Sequence, residues 1–400
     1  MRILHTADWH LGASLGPFSR IEEQKLFLEQ LCHIVQDENV DMVLVAGDIF
    51  DTANPSAAAE GLFYEAMTNL AAFKIPIVLV AGNHDSAERL SAPSPAISKL
   101  GILVFATPNT VLPARQHDGF SVEPLGPGCA EIIIGNQQAV IAAVPFVSEH
   151  RLGEVIFAAK DEAGMQRDYS AKVGELFAHR AQYFRQNTIN IATGHFHITG
   201  GDVSRGLERD IQIGGVFAVQ PEAIPAVDYI AMGHLHRAQK VKCGPDGTHL
   251  AYYAGSPLPY SLSEQSPKSV YIADLAPGQA PIVEKILLNC PKPLELWEVE
   301  TAAQAVEKCR QPSNAYKYIR ITGETTINPY DIKEMRRLAA DIVSIDLAEG
   351  KEAAASEFDA FAAIDPRREF VNFYAKTKGV QPAAQLLSIF EEILASEERS

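Results

Sequence analysis

The chain has 400 residues, 47% of them hydrophobic and 21% charged, which is the make-up of a globular protein too long for a single hydrophobic core. Its formal charge of −16 excludes binding nucleic acid over the whole surface, because affinity for that polyanion comes from Lys and Arg on phosphates. No apolar run reaches the roughly 20 residues of a membrane span, and Met1-Arg2 lead straight into a strand, so a cytoplasmic protein with no membrane attachment is expected. The five cysteines lie far apart with no C-x-x-C pair, which fits reduced, mostly buried thiols.

From the N-terminus, apolar strands alternate with helical patterns: Arg2 to His5, a helix around Glu22 to Gln36, Met42 to Ala46, a helix around Ala57 to Ala72, then Ile77 to Val80. Nearly unbroken apolar strands separated by helices predict a sheet covered on both faces by helices, with ligands at the C-terminal strand ends along one rim. Further strands are predicted at Ile102 to Phe105, Glu131 to Ile134, Val140 to Val144 and Ile189 to Thr193, then at Tyr229 to Met232, Ala251 to Ala254 and Val270 to Ile272. Between them, residues 150–188 read as a helical insertion, with Val173, Leu176 and Phe177 at helical spacing.

A mostly antiparallel series beginning near Val283 and passing Trp297 to Val299 leads out of this first domain, residues 1–288. Residues 289–350 then read as a small α+β capping domain: strand Leu294 to Val299, helix Ala302 to Cys309, strand Tyr316 to Ile321, helix Pro329 to Leu338, strand Ile342 to Ile345. An Ala- and Glu-rich linker at 351–365 precedes C-terminal helices at 366–400. These helices carry Phe370, Phe373 and Tyr374, then an amphipathic stripe of Leu386, Leu387, Phe390, Ile393 and Leu394. The stripe is either packed on its own domain or docks a partner, and the preceding linker favours the partner.

The first three strands each run into residues that ligate metals: Asp8-Trp9-His10, Gly47-Asp48-Ile49-Phe50-Asp51 and Gly82-Asn83-His84-Asp85. Later strands lead to His195 and to His234 and His236. Carboxylate, amide and imidazole in that mixture suit a pair of borderline divalent cations, which lower the pKa of water and clamp the oxygens of a phosphate ester. Asp48, after the most apolar strand, is the candidate to bridge them. Asp8 with His10, and His234 with His236, are expected to point to one side as i and i+2 of extended segments. Gly47, Gly82 and Gly233 keep side chains away where the backbone turns beside a ligand.

Taken singly, D-x-H or H-x-H is a weak signal. The order D-x-H, G-D-x-x-D, G-N-H-D, a lone His after a strand and G-H-x-H resembles the calcineurin-like metallophosphoesterase superfamily, whose fold is a β-sandwich flanked by helices. Met1 to Gly12, Val45 to Thr52, Leu79 to Ser86, Ile191 to His195, Asp228 to Gln239 and Tyr253 to Pro257 resemble more closely its branch of DNA nuclease subunits. That resemblance is strong over about residues 1–275 and rests on layout beyond them.

The resemblance implies one Mn²⁺ on Asp8, His10, Asp48 and His236, and another on Asp48, Asn83, His195 and His234. His84 is then the catalytic histidine, and Asp51 and Asp85 are supporting carboxylates. It also implies cleavage of DNA ends and hairpins by a homodimer within a heterotetramer, whose ATPase partner is gripped at the base of its coiled coil by the C-terminal helices. The chain has no G-x-x-x-x-G-K-[ST] loop, so ATP would belong to that partner.

Arg20, Arg89 and Arg237 lie near the ligand segments and read either as DNA-backbone contacts or as solvated surface charges. His5 reads as a core histidine, Trp9 as packing below the site or else touching DNA, His197 as a packing or solvent-facing residue, and Gly255-Ser256-Pro257 as a turn or else a loop that approaches the metals or the substrate. Two rivals stay open. A stand-alone phosphatase could use the same scaffold, though it has little use for a cap and a docking tail. A non-catalytic scaffold subunit should have lost ligands, and none is missing.

Overall fold

The computed structural model describes residues 1–159, 161–202, 216–264, 266–324 and 326–348. Two sheets stack face to face. The first runs in the order Ile282–Leu287, Ser269–Asp274, Arg2–Thr6, Met42–Ala46, Ile77–Val80, Ile102–Phe105. Its last four strands are parallel, while Ser269–Asp274 pairs antiparallel with both of its neighbours. The second sheet has eight strands, in the order Gln239–Cys243, His249–Tyr253, Tyr229–Gly233, Ile189–His195, Gln137–Val144, Cys129–Ile134, Phe120–Gly126, Arg115–Gln116.

Alternation of side chains along the strands divides the apolar residues between two layers. Ile3, Met42, Leu44, Ala46, Val78 and Val80 face inward and meet Ile141, Ile191, Tyr229 and Ala231 of the second sheet. Leu4, Val43, Val45, Ile77 and Leu79 face outward, under Phe27, Leu31, Phe63, Met67 and Leu70 of helices Ile21–Asp37 and Ala57–Ala71. Helix Glu162–Ala181 covers the far side of the second sheet through Tyr169, Val173 and Phe177. The expectation of helices on both faces of one sheet is thus corrected. Among the described residues each sheet has helices on its outer face only, and the strands are apolar throughout because the other sheet lies against the inner face.

Besides two-residue strands such as Arg115–Gln116, two longer strands escaped the sequence reading. Phe120–Gly126 contains Pro124 and a break in register there, and Gln239–Cys243 is an edge strand with alternating lysines, both poor in the β-branched residues that signal a strand. The helix in the 150–188 insertion is confined largely to Glu162–Ala181, opened by Asp161, whose side chain caps the Gly164 amide.

After Ile282–Leu287 the chain forms a three-stranded sheet of Leu294–Val299, Tyr316–Ile321 and Ile342–Leu347. These strands are parallel, not antiparallel as expected for Trp297 to Val299, because helices Ala302–Cys309 and Pro329–Leu338 serve as crossovers between them. Trp297, Ala305, Ile319, Ile321 and Met335 give this capping module its own core. Among the described residues, no helix is long and apolar enough to cross a membrane, and all five cysteines are free thiols.

Candidate metal centre

Parallel register sets the position of the site. Ile3 pairs with Met42 and Ala46 with Val80, so the strands end at one level and Asp8, Asp48 and Asn83 leave the first sheet together. Across the core, His195 pairs with Gly233 in the second sheet, which brings His195 and His234 to the same height. The centre therefore lies between the C-terminal ends of two sheets, not along the rim of one.

Asp8, His10, Asp48 and His234 have positive φ, at 53°, 46°, 49° and 93°. The extended i, i+2 geometry expected for Asp8 with His10 and for His234 with His236 is therefore corrected: the strand stops at Thr6, and left-handed residues bend the chain into the site. Such backbone costs about 1–3 kcal/mol per non-glycine residue and persists only where neighbours over-determine it. Here the two loops are laced together, with Asp8 N on Gly47 O at 2.9 Å, His10 N on Asp48 O at 3.0 Å and Leu11 N on Ile49 O at 2.9 Å. The His234 amide donates to Asp8 Oδ1 at 2.8 Å.

Three glycines make room for the ligands: a Cβ on Gly233 would overlap the Ala46 carbonyl that holds His195. A Cβ on Gly82 would overlap Asp48 Oδ1, and one on Gly47, itself at φ +93°, would overlap the His195 imidazole.

The hydrogen bonds sort the imidazole nitrogens. His195 Nδ1–H donates to Ala46 O at 2.8 Å, leaving Nε2 3.0 Å from Asn83 Oδ1 and 3.2 Å from Asp48 Oδ2. His234 Nδ1 lies 3.1 Å from that same Asn83 oxygen. On the other side, His10 Nε2 and His236 Nε2 face each other at 3.1 Å, while Asp51 and Glu264 carboxylates sit 3.4 and 3.1 Å from their respective Nδ1 atoms. A carboxylate behind a ligand imidazole fixes its tautomer and orientation.

Ligand atoms gather in three groups, each within 4.8 Å: Asp8, His10 and His236; His10, Asp48 and His84; Asp8, Asp48 and His195. Asp8, His10 and Asp48 each belong to two of the three, so the groups overlap in one centre. The residues fit a pair of divalent cations. Asp8 and Asp48 are both buried, and Asp8 Oδ2 has no hydrogen-bond partner among the described residues, a costly arrangement unless a cation compensates it. Within the chain, burial raises the Asp8 carboxyl, whereas the charge of Asp48 is met by an imidazole. Burial opposes ionisation of Asp48, but His195 beside it holds its carboxyl well below the usual range. Burial likewise disfavours a charged His195, yet Asp48 and Asp8 raise it to about 9. Burial and the neighbouring His195 charge keep His234 neutral.

The family model of the calcineurin-like phosphoesterases matches residues 1–238. Over 405 residues the chain is 35% identical to the SbcD subunit of the SbcCD nuclease of Bacillus subtilis (strain 168), covering 100% of this chain and 99% of that one. The corresponding subunit of Rhodobacter capsulatus is 38% identical over 70% of this chain and 68% of its own, and that of Escherichia coli (strain K12) 30% over 76% and 72%. The chain belongs to the SbcD family.

Around this SbcD-type centre, His84 stands at the open edge, half-buried like Asn83. Its ring meets the His10 ring edge-on at 4.8 Å, its amide donates to Asp48 Oδ1 at 2.9 Å, and its Nδ1–H donates to Asp51 O at 2.7 Å. Asp85 is buried and accepts from the amides of Gly82, Ile49 and Phe50, so it ties the loop of Asn83 and His84 to the loop of Asp48. Trp9 packs beneath, fully buried and edge-on to Phe27, with its indole N–H on Thr6 Oγ1 at 3.0 Å. His5 is a core residue, 3.1 Å from the Tyr229 hydroxyl and lowered to about 3 by burial. His197 is half-buried beside the short strand at Ala218–Val219.

The arginines divide. Arg20 is fully buried, with Nε and Nη2 on Glu23 and Nη1 on the Pro259 carbonyl, so its reading as a DNA-backbone contact is corrected: no guanidinium face remains for a phosphate. Arg89 and Arg237 are exposed and paired with Glu60 and Asp202, contacts that solvent screens. Phe370, Phe373, Tyr374, Leu386, Leu387, Phe390, Ile393 and Leu394 lie outside the described residues, as do the stretches where the linker and the C-terminal helices were expected.

Sequence reasoning missed a group behind His236. Glu264 holds its Nδ1, and Lys268 and Ser256 in turn hold Glu264, all of them buried. Burial works against the Glu264 charge, but His236 and Lys268 bring it down to about 2. Arg151 was missed as well; it donates to the carbonyls of Asp85 and Phe146 and so braces the loop carrying His84. Glu264, Lys268 and Arg151 stand in no motif, and only the fold brings them and the Ser256 turn to the ligands.

Proposed function

We propose that the chain is a metal-dependent DNA nuclease, the nuclease subunit of an SbcCD-type complex. The observation that carries this reading is one buried centre in which three groups of ligand atoms overlap at Asp8, His10 and Asp48, with half-buried His84 at its edge. Full-length similarity to SbcD subunits supports DNA as the ester, and the carboxylate, amide and imidazole donors suit Mn²⁺.

In this reading Asp8, His10, Asp48 and His236 hold one cation, and Asp48, Asn83, His195 and His234 the other. When bound, such a pair supplies the activated water and the positive charge that phosphodiester hydrolysis needs. The chain supplies the rest. Because His84 Nδ1–H is committed to the Asp51 carbonyl, Nε2 is the nitrogen left to pass a proton to the leaving oxygen. Arg89 and Arg237, exposed near the ligand segments, would meet the DNA backbone. Asp51 and Asp85 keep His10 and the His84 loop in place.

Activity is proposed as 3′-to-5′ removal from duplex ends and opening of hairpins, by a homodimer joined to an SbcC-type ATPase through its coiled coil. The acidic charge of −16 fits a subunit whose partner provides much of the DNA surface.

The deciding experiment is cleavage of labelled hairpin DNA with and without Mn²⁺, alone and with the ATPase. His84→Ala should lower cleavage about 10²–10⁴-fold while two metals remain bound, and loss of the metals would refute its role. Deleting residues 366–400 should spare Mn²⁺-dependent hydrolysis of a simple phosphodiester but abolish co-purification with the ATPase; an intact complex would refute the docking assignment.

A further inference from the structure

Arg20, freed from a role in DNA contact, sits where the capping module meets the first domain. It precedes helix Ile21–Asp37, and its bidentate pair with Glu23 is closed over by Tyr316 of the capping module. The Tyr316 hydroxyl donates to Glu23 Oε2 at 2.9 Å, and its ring lies 5.1 Å from the Arg20 guanidinium carbon. Phe18 packs against the same ring at 5.7 Å.

From this pair, two arms reach the metal centre. Arg20 Nη1 donates to Pro259 O at 2.6 Å, which anchors the adjacent Tyr260. The Tyr260 hydroxyl donates to the Trp9 carbonyl, and its ring stands 5.4 Å from that of His10 and 6.3 Å from that of His236. Gln24, next to Glu23 on the helix, donates to His10 O at 2.7 Å and accepts from Gly12 N at 2.9 Å. Together these contacts brace the left-handed backbone of His10 and the rings of His10 and His236. His195 and His234 are held by Ala46 and Asn83 and, through the His234 amide, by Asp8; among the described residues neither hydrogen-bonds to Arg20, Gln24 or Tyr260.

We propose that Arg20 is a positioning residue for the His10 and His236 half of the metal centre, and that Tyr316 completes it, so that seating of the capping module sets the affinity of one metal and not the other. This rests on the two-metal reading above. The physical basis is burial: with Tyr316 in place, the Arg20–Glu23 pair is shielded from water, its hydrogen bonds are strong, and Pro259 and Gln24 are held in register. Once Tyr316 is removed, water competes for Glu23 and the brace behind His10 loosens.

The test is Mn²⁺ titration of the full chain by calorimetry, with His10→Ala and His195→Ala as references for the two binding steps. Tyr316→Ala and Arg20→Lys should weaken the step lost in His10→Ala about tenfold or more, as loss of outer support for a metal ligand does, and leave the other step in place. Tyr316→Phe keeps the ring over Arg20 and should fall between Tyr316→Ala and the unmodified chain, which also serves if Arg20→Lys does not fold. Tyr330→Ala, exposed elsewhere on the capping module, should change neither step. If the unmodified chain binds two Mn²⁺ and Tyr316→Ala moves neither step, or weakens both alike, the inference falls alone. An unmodified chain that binds no Mn²⁺ would overturn the metal reading and this inference with it.

Discussion

Ile319 in the capping module is fully buried in an apolar cluster with Trp297, Ala305, Met335 and Ile342. Asp48 in the metal centre is nearly as buried, yet its surroundings are His10, His195 and the His84 amide. The module is secured by the removal of apolar surface from water, which is non-directional and tolerates small errors. The centre is secured by directional contacts among left-handed residues and opposed charges, each of which is costly when its partner is lost. Side chains of similar burial should therefore respond to substitution in different ways.

The sharpest break is expected at Asp48. Asp48→Asn keeps the shape but removes the charge that two ligand groups share, so both Mn²⁺ affinities should fall by more than about 100-fold. Calorimetric titration reads this directly, and a second site of unchanged affinity would show that Asp48 does not bridge.

Next is Gly82→Ala. The added methyl would overlap Asp48 Oδ1 and its amide, and backbone cannot yield as a flexible side chain does. Overpacking of this kind costs about 1–3 kcal/mol, measurable as a lower urea midpoint, and here it should also displace Asp48 and weaken metal binding. Normal metal binding in Gly82→Ala would mean that the centre is softer than its packing implies.

The same contrast governs what the sequence disclosed. Met42 to Ala46, Ile77 to Val80 and the five elements between Leu294 and Leu347 were legible because burial writes itself into periodicity, and periodicity is local. The ligand clusters were legible because their chemistry is dense in short segments. Residues that act through backbone carbonyls or through the far nitrogen of a ligand histidine were not: Gln24, Tyr260 and Glu264 reach His10 and His236 only after the chain has folded. Arg20 was misread for a related reason. Its nearness to the ligand segments in sequence suggested a surface cation, but Glu23 one turn on and Tyr316 from the distant capping module bury it. The bends at Asp8 and His10 were missed because a run of apolar strand residues does not announce where left-handed backbone begins.

The smallest effect should come from Ile319→Val. One methylene is removed from the capping core, which costs about 0.5–1.5 kcal/mol and leaves a cavity that neighbours such as Met335 partly fill. Tyr316 stays seated, since the strand Tyr316–Ile321 and its pairing with Leu294–Val299 are untouched, so both Mn²⁺ affinities should match those of the unmodified chain. Urea unfolding followed by Trp297 fluorescence would register the loss in the module, while calorimetry reports on the centre. A change in either metal step would mean that stability of the module as a whole, and not the contact of Tyr316 with Arg20 and Glu23, is what reaches His10.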